Sequence, residues 1–357
     1  MRLELIPRQN VSRWREWLTP ILAFGVALLI GGLVIGLMGR SPARAFQVYV
    51  IEPLSQGWAI QEILLKATPL MLIGIGLSFC YRADRWNIGA EGQFVMGGLC
   101  GGGIAIATQG MATQGIGGWW IVPLMLLAGS LGGMIWAAIP ATLRNRLGVS
   151  EILTSLMLVY VAQLLLDYLV RGPWRDPSAF NLPQSVNFDA VARLPVLFAG
   201  GRVHWGLVFG LLAALVAWFV LSKTLFGFAI RATGEAPRAA RFGGFDERRV
   251  TLLSFLISGG LAGLAGVAEV AGQIGQLQPS ISPGYGFTAI IVAFLGRLSA
   301  PGIVLAAFVM SMILIGAENA QIALKLPLDL ARVFQGLLLF CLLGGEALTR
   351  YRLVLGR

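Results

Sequence analysis

Long apolar stretches separated by short polar segments recur along the chain from residue 18 almost to its C-terminal end. About 20 apolar residues are enough for a helix to cross the hydrocarbon core of a bilayer. We therefore expect an all-α, polytopic membrane protein with about ten transmembrane helices. The predicted segments are 18–38, 62–81, 87–108, 119–140, 149–170, 204–222, 250–272, 285–296, 300–318 and 328–347.

The eighth segment, 285–296, is too short for an ordinary span and lies between the sequences SPG and LSAPG. It is either a half-helix that meets another broken element near the middle of the membrane or a tilted helix extended at one end. Non-helical backbone at membrane depth persists only where protein or a water-filled cavity satisfies it. The first alternative, a broken or re-entrant half-helix, would therefore place this segment beside a transport pathway.

Two glycine-rich sequences predict close contacts between helices. In SGGLAGLAG, residues 258–266, Ser258, Ala262 and Gly266 recur at four-residue spacing and share one helix face. GGLCGGG, residues 97–103, is similarly rich in glycine. Small residues let helix backbones approach closely in lipid, so we expect both segments to serve helix packing.

Composition and charge agree with a membrane protein. Hydrophobic residues make up 57% of the chain and charged residues only 12%, about half the charged fraction of an average soluble domain. The net charge of +10 does not indicate a nucleic-acid partner, because about two thirds of the Lys and Arg residues fall on one side of the predicted topology. The positive-inside rule makes that side cytoplasmic, with an N-terminal segment at 1–17, a transmembrane domain at 18–347 and a tail at 348–357.

The longest predicted outer loop spans residues 171–203 and is rich in Pro, Asn and Asp. A loop of this length usually has a task, and we expect it to dock a partner on the outer face. Asp167 and Arg171, four residues apart, predict a salt bridge at the end of the fifth helix. The only histidine, His204, starts the sixth segment beside Trp205 and is interpreted as an interfacial anchor.

Common enzyme motifs are missing from the sequence. It contains no phosphate-binding loop of the GxxxxGK[ST] type and no HExxH or GxSxG motif. One histidine makes a multi-histidine metal site improbable, and Cys80, Cys100 and Cys341 lack metal-ligand spacing. We therefore expect no catalytic residue, no metal site and no cofactor in this chain.

The predicted cytoplasmic loop at 223–249, KTLFGFAIRATGEAPRAARFGGFDERR, is basic and punctuated by glycine. Its composition alone favours a solvated linker. Ala236, Ala239 and Ala240 can nevertheless lie on a short helix parallel to the membrane, ended by the pair Gly243 and Gly244. A short docked helix between two spans can transmit force.

This loop, the following SFLISGGLAGLAG and the later SPGYGFTAIIVAFLGRLSAPG together resemble the ABC importer permeases for simple sugars, branched-chain amino acids and nucleosides. The resemblance implies that the loop is a coupling loop seated in a groove of a separate cytoplasmic ATPase subunit, which would bind ATP and Mg. It also implies a second permease subunit, identical or homologous, and an extracytoplasmic substrate-binding protein. The docking elements that it implies are Gly234, Glu235, Ala236, Pro237, Ala239, Ala240 and Gly243. The family commonly has an asparagine before the proline region, where this chain has Glu235 and Ala236.

The decapeptide RWNIGAEGQF, residues 85–94, places polar side chains at the start of the third segment. In one interpretation Asn87 caps the helix, while Glu91 pairs with Arg85 or another basic residue at the inner interface. In the other, Glu91 and Gln93 face the translocation pathway or its cytoplasmic gate, because ionisable residues in a membrane usually avoid lipid. The string NIGAEGQ resembles nucleoside-transporting permeases. The candidates for the pathway or gate are Asn87, Glu91, Gln93, Ser258, Glu269, Gln273 and Asn319.

The resemblance thus implies the permease subunit of an ATP-driven ABC importer for nucleosides, which couples ATPase movement to alternating access. It implies a location in a bacterial cytoplasmic (inner) membrane, with both termini cytoplasmic. A permease for a monosaccharide or another small polar solute of the same family is the nearest alternative. An ion-coupled secondary transporter is the alternative of another class, although the basic loop and the lack of an acidic relay in the spans disfavour it.

Overall fold

The structure of the chain, a computed structural model, describes residues 2–7, 13–111, 118–327 and 329–356. Helices dominate it. The α-helices are α1 (Arg13–Leu37), α2 (Pro42–Phe46), α3 (Glu52–Ser55), α4 (Gly57–Arg82), α5 (Ala90–Ala107), α6 (Ile121–Leu147), α7 (Glu151–Arg171), α8 (Gly206–Lys223), α9 (Leu225–Glu235), α10 (Pro237–Phe242), α11 (Glu247–Glu269), α12 (Tyr285–Leu295), α13 (Ala300–Leu324) and α14 (Asp329–Arg350). Two π-helical turns, Gln47–Ile51 and Val270–Ile274, follow α2 and α11, and the turn Ala190–Ala192 is a 3-10 helix.

Each of the ten predicted apolar segments coincides with a helix, so the all-α polytopic fold is confirmed. Within the residues that the structure describes, seven helices are long and apolar enough to cross a membrane: α1, α4, α6, α7, α8, α11 with its π-helical turn, and α13. Helix α12 is apolar but shorter. The predicted number of spans, ten, is therefore larger than the number of described helices that are long and apolar enough to cross a membrane by themselves.

The chain forms two compact units, which are described separately. The terminal unit combines residues 1–60 with 309–357, and the central unit comprises residues 61–308. In the terminal unit, α1 packs along α14, with the Phe24 ring edge-on to Phe334. Strand β1 (Arg2–Pro7) pairs antiparallel with strand β2 (Tyr351–Gly356), so both ends of the chain lie side by side.

The central unit is built around a crossing of α5, α6 and α11. The backbones of these helices are in direct contact. A Cβ atom added at Gly97 of α5 would overlap Gly263 of α11, and one added at Gly133 of α6 would overlap the Gly259 carbonyl of α11. Each of these glycines is needed because the neighbouring helix axis leaves no room for a side chain. The predicted packing role of the two glycine-rich sequences is confirmed.

Helix α12 and the non-helical segment before it, residues 275–284, form an interrupted passage through the central unit, here called the broken crossing. After Gly275, at φ 76°, the chain leaves the helix and runs past Gly102 and then Gly98 of α5 until Gly284, at φ 102°, starts α12. At its other end Phe294 stacks on Tyr81, with ring centroids 5.2 Å apart. The eighth predicted segment is therefore a short half-helix preceded by the non-helical segment 275–284, and the alternative of a tilted helix extended at one end is wrong. Its place near the middle of the membrane stays a prediction.

The outer loop 171–203 provides hydrogen bonds for this extended segment. The Ser185 N–H donates to the Leu277 carbonyl at 2.8 Å, and the Leu277 N–H donates to the Ser185 hydroxyl at 2.8 Å. The Phe188 N–H donates to the Gly275 carbonyl at 2.7 Å. The loop thus satisfies backbone groups that would otherwise lack partners inside a membrane protein.

Candidate functional site

The start of α5 holds a closed network of buried amides. Asn87 and Gln93 exchange two side-chain hydrogen bonds of 3.0 Å, and Asn87 Nδ2 also donates to the Ser258 hydroxyl of α11 at 3.0 Å. All three side chains are buried. Helix α5 begins after Gly89, and Asn87 Oδ1 accepts from the Gly89 N–H, so the interpretation that Asn87 caps the helix is wrong. The network ties α5 to α11; a role at the pathway or gate stays a prediction.

Glu91 joins α5 to the half-helix α12. Its buried carboxylate accepts from the Gly286 N–H at 2.6 Å and hydrogen-bonds the Ser282 side chain. The Ser282 hydroxyl in turn accepts from the Tyr285 N–H at 3.0 Å. The first N–H groups of a helix lack partners within it and carry positive partial charge, so the carboxylate supplies what the start of α12 needs. The interpretation that Glu91 pairs with Arg85 is wrong.

We expect Glu91→Ala to destabilise the protein by about 2 kcal/mol, because it leaves buried N–H groups of α12 without an acceptor. Glu91→Gln keeps a side-chain oxygen and should cost only about half as much, through the lost charge. Thermal unfolding of the purified protein in detergent measures both. Glu235→Ala, at the exposed end of α9, is the matched control, and equal unfolding temperatures for Glu91→Ala and this control would contradict the role given to Glu91.

The loop predicted to be cytoplasmic, residues 223–249, folds into two helices. Its second half is the predicted short helix, α10, which starts after Ala236 and ends at Gly243. Its first half, expected to be irregular, is helix α9. The Phe228 ring of α9 lies 5.6 Å from the Phe245 ring, which follows α10 in the turn before α11. Sequence reasoning missed α9 because glycines and charges interrupt its apolar face.

The proposed docking residues fall on two faces. Ala240 is buried, and Gly234 faces the Arg82 carbonyl so closely that a Cβ atom would overlap it. These two residues seat the helices on the rest of the central unit. The exposed members are Glu235, Ala236, Pro237, Ala239 and Gly243. Phe242, which sequence reasoning did not select, is a large hydrophobic side chain of α10 that is 95% exposed.

A chain of charges connects α10 to the start of the transmembrane helices. Arg241 of α10 donates to Glu247 Oε2 at 2.8 Å, and Glu247 Oε1 pairs with Arg85 in the turn before α5. Arg85 is buried and also donates to the Thr251 hydroxyl at 3.1 Å. A cavity of about 630 Å³ opens beside these residues and is lined by Arg144 and other polar groups. Glu247 thus touches both α10 and the α4–α5 turn.

The outer end of α11 carries a second polar group of residues, here called the outer cluster: Lys66, Glu269, Gln273 and Tyr285. The Tyr285 hydroxyl donates to Glu269 Oε1 at 3.4 Å, and Lys66 and Glu62 of α4 are charged groups near Glu269. Among the described residues, Glu269 Oε2 and Gln273 Oε1 are buried atoms without a hydrogen-bond partner. Glu269 and Gln273 were selected from the sequence, whereas Lys66 and Tyr285 were not.

Other sequence-selected residues lie elsewhere. Asn319 is half-buried on α13 and belongs to the terminal unit. Asp167 and Arg171 form the predicted salt bridge at 2.8 Å.

His204 is buried, accepts from the Gly206 N–H at 3.1 Å and packs its ring against Gly272, so its interpretation as an interfacial anchor is wrong. Across the part of the chain that the structure describes, no three His, Cys, Asp or Glu side chains come together as metal ligands.

Comparison with known proteins matches these features to one family. The family model for the permease component of branched-chain amino acid transport systems covers residues 59–343. The glucose ABC transporter permease protein of Haloferax volcanii is 37% identical over 99% of this chain and 93% of its own length. The guanosine ABC transporter permease protein of Bacillus subtilis is 29% identical over 97% of this chain and 98% of its own length. A nucleoside ABC transporter permease protein of Lactococcus lactis is 26% identical over 86% of this chain and 85% of its own length. The chain therefore belongs to the family of branched-chain amino acid transport system permease components and is an ABC transporter permease of the sugar and nucleoside type.

Proposed function

We propose that this chain is the membrane-spanning subunit of an ATP-driven nucleoside importer, with ATP and Mg bound by a separate cytoplasmic ATPase. The observation that carries this proposal is the exposed helix α10, joined by Glu247 to Arg85 in the turn before α5. A displacement of α10 would act on the start of α5, where Glu91 holds the half-helix α12. The coupling loop is thereby connected to a broken crossing of the kind that lines transport pathways.

The exposed face of α10 is the surface for the ATPase. Ala239 and Phe242 are both exposed and lie three residues apart on α10, where they form a small apolar patch on an otherwise basic helix. An exposed phenylalanine seated in a groove of the partner would supply a large part of the contact energy, because aromatic anchors commonly dominate interfaces. Arg241, on the same helix, would pass movement of the partner to Glu247 through their ion pair.

The remaining partners follow from the same proposal. A second permease subunit, identical or homologous, would complete the pathway, and an extracytoplasmic binding protein would deliver substrate to the outer loop 171–203. Phe180 and Phe198 of this loop are 99% and 66% exposed and would form its apolar contacts. The protein would sit in a cytoplasmic membrane with both termini on the inner side, in accord with the basic character of the loops placed there.

Relatives favour two related classes of substrate. The guanosine and nucleoside permeases, together with the NIGAEGQ string, support nucleosides. The glucose permease of Haloferax volcanii supports a monosaccharide as the second candidate. Membership in the ABC permease family speaks against the ion-coupled secondary transporter.

We expect cells that express this chain with its cognate transporter subunits to take up labelled guanosine, and to lose that uptake when the ATPase is inactivated. Uptake of labelled glucose and ribose is measured in parallel. If only these sugars enter the cells, the substrate is the second candidate, a monosaccharide. Ala239→Asp should abolish uptake while leaving the unfolding temperature unchanged, because this exposed position meets the ATPase and not the core. Uptake that continues with an inactive ATPase would contradict the proposed function.

A further inference from the structure

The cavity beside Glu247 is lined mainly by charged side chains and is here called the arginine cavity. Its volume of about 630 Å³ lies within the usual range for pockets that bind small molecules, about 300–1,000 Å³. The turn before α5, the end of α6, the end of α10 and the start of α11 border it. The charged residues that line it are Arg85, Arg144, Arg241, Asp246, Glu247 and Arg248.

One carboxylate of the arginine cavity serves two arginines. Glu247 pairs with Arg85 through Oε1 and with Arg241 through Oε2. Arg85 is buried and also donates to the Thr251 hydroxyl, so its charge stays at the cavity and cannot swing into water. This group of side chains therefore keeps one positive charge in excess.

The remaining charges at the cavity add a second excess. Asp246 is already paired with Arg249, and Arg144 with Glu151 of α7, each at 3.4 Å. Arg248 forms no ion pair within the part of the chain that the structure describes. The lining and its ion-pair partners thus place five arginines against three carboxylates. Positive charge concentrated in a cleft attracts anions.

Two of these arginines have N–H donors to offer to an anion. Among the described residues, Arg144 is engaged only through Nη1 with Glu151, and the Arg248 side chain has no hydrogen-bond partner. Asn145 Nδ2 of α6 donates to the Arg248 carbonyl at 2.8 Å, which fixes the start of α11 beside the end of α6. A guanidinium presents its donors as a planar fork that matches the oxygens of a phosphate. Arg144 and Arg248 are therefore suited to bind a phosphate group in the cavity that they share.

Exposed apolar side chains follow these arginines along the chain. Leu147, about one turn after Arg144 on α6, is 70% exposed, and Leu153 near the start of α7 is 61% exposed. Both helices are long and apolar enough to cross a membrane, so these leucines are suited to contact acyl chains. Basic pockets between transmembrane helices on the cytoplasmic side bind the headgroups of anionic lipids. The phosphate that fits the arginine cavity best is therefore one that carries acyl chains.

We propose that the arginine cavity binds the phosphate of an anionic phospholipid from the leaflet on the predicted cytoplasmic side, with Arg144 and Arg248 as the binding residues. The bound phosphate would hold the end of α6 and the start of α11 together beside Glu247, which joins α10 to the turn before α5. Such lipid binding goes beyond the proposed function, because it does not depend on which substrate is transported.

The test titrates phosphatidylglycerol, phosphatidylcholine and inorganic phosphate separately into the purified chain in detergent and follows the unfolding temperature. We expect phosphatidylglycerol to raise this temperature saturably and the other two to leave it unchanged, since only the first combines acyl chains with a net negative charge. In the double variant Arg144→Gln/Arg248→Gln, the phosphatidylglycerol concentration at half-saturation should rise about tenfold or more, because two charge-assisted contacts with the phosphate are lost.

The matched control is the double variant Arg146→Gln/Arg238→Gln. These two arginines are exposed on α6 and α10, lie outside the cavity lining, and their loss changes the net charge by the same amount. The control should bind phosphatidylglycerol as the wild type does. Equal weakening in both double variants would show general attraction to surface charge and overturn the proposal.

Two further outcomes would also count against it. If phosphatidylcholine stabilises the wild type as well as phosphatidylglycerol does, the headgroup charge is not recognised and the proposal is overturned. If inorganic phosphate alone reproduces the stabilisation, the cavity binds a free anion and the assignment to lipid is wrong. Arg248→Gln alone breaks no ion pair among the described residues, so it should weaken phosphatidylglycerol binding even where the double variant cannot be purified.

Discussion

A leucine at Gly263 is expected to abolish recovery of folded protein from membranes. Gly263 lies where α11 touches both α5 and α6, and even a Cβ atom there would overlap the Gly129 carbonyl. On the opposite side, Gly97 approaches the Gly263 backbone equally closely. A leucine side chain would have to push two helices apart, at a cost above about 3 kcal/mol, which is a large share of the stability of most proteins.

The yield of monodisperse protein in detergent and its unfolding temperature measure this effect. Gly25→Leu in α1 is the matched control, since no atom lies within 4 Å of the Cβ position at Gly25. The control should be recovered at the wild-type level. A Gly263→Leu protein with wild-type yield and unfolding temperature would show that the three helix backbones do not meet as described.

Glu247→Gln is expected to separate ATP hydrolysis from transport. The substitution keeps the shape of the side chain but removes the charge that holds Arg241 of α10 and the buried Arg85 together. A charge-assisted hydrogen bond contributes roughly 1.5–3 kcal/mol. We therefore expect uptake to fall about tenfold or more while the ATPase still copurifies and hydrolyses ATP.

The decisive quantity is substrate imported per ATP hydrolysed, measured in proteoliposomes with the complete transporter. Asp167→Asn removes an ion pair of similar exposure that stays within α7, and it should leave this ratio unchanged. An unfolding temperature for Glu247→Gln close to that of the wild type excludes general misfolding. A wild-type ratio for Glu247→Gln would show that Glu247 does not transmit the movement of α10.

Local patterns in the sequence predicted the helices and their closest contacts. Apolar runs located α4 and α11 to within a few residues, because length and hydropathy determine which segments can lie in a membrane. The four-residue spacing of small residues identified the face of α11 that crosses its neighbours. Both properties belong to single segments and need no knowledge of the partner.

Contacts between distant residues could not be predicted in this way. Glu91 finds its partner 195 residues further along the chain, and Arg85 finds Glu247 162 residues further along. Nearby alternatives such as a pair between Arg85 and Glu91 look equally reasonable from the sequence. Only the three-dimensional arrangement shows that the half-helix α12 brings an electropositive end to Glu91.

The decapeptide at 85–94 illustrates why such a motif does not by itself identify the substrate. Each of its four polar side chains is engaged inside the protein: Arg85 with Glu247, Asn87 with Gln93, and Glu91 with Gly286. In this chain the decapeptide is therefore a joint between helices.

The extended segment that precedes α12 has a consequence for how the protein is made. Helix α12, at 11 residues, is too short to be inserted as a span on its own, and the backbone of Leu277 depends on Ser185 of the outer loop. Residues 275–295 can therefore hold their final positions only when the outer loop has been translocated and α5 is in place. We expect this stretch of the chain to settle late in assembly within the membrane.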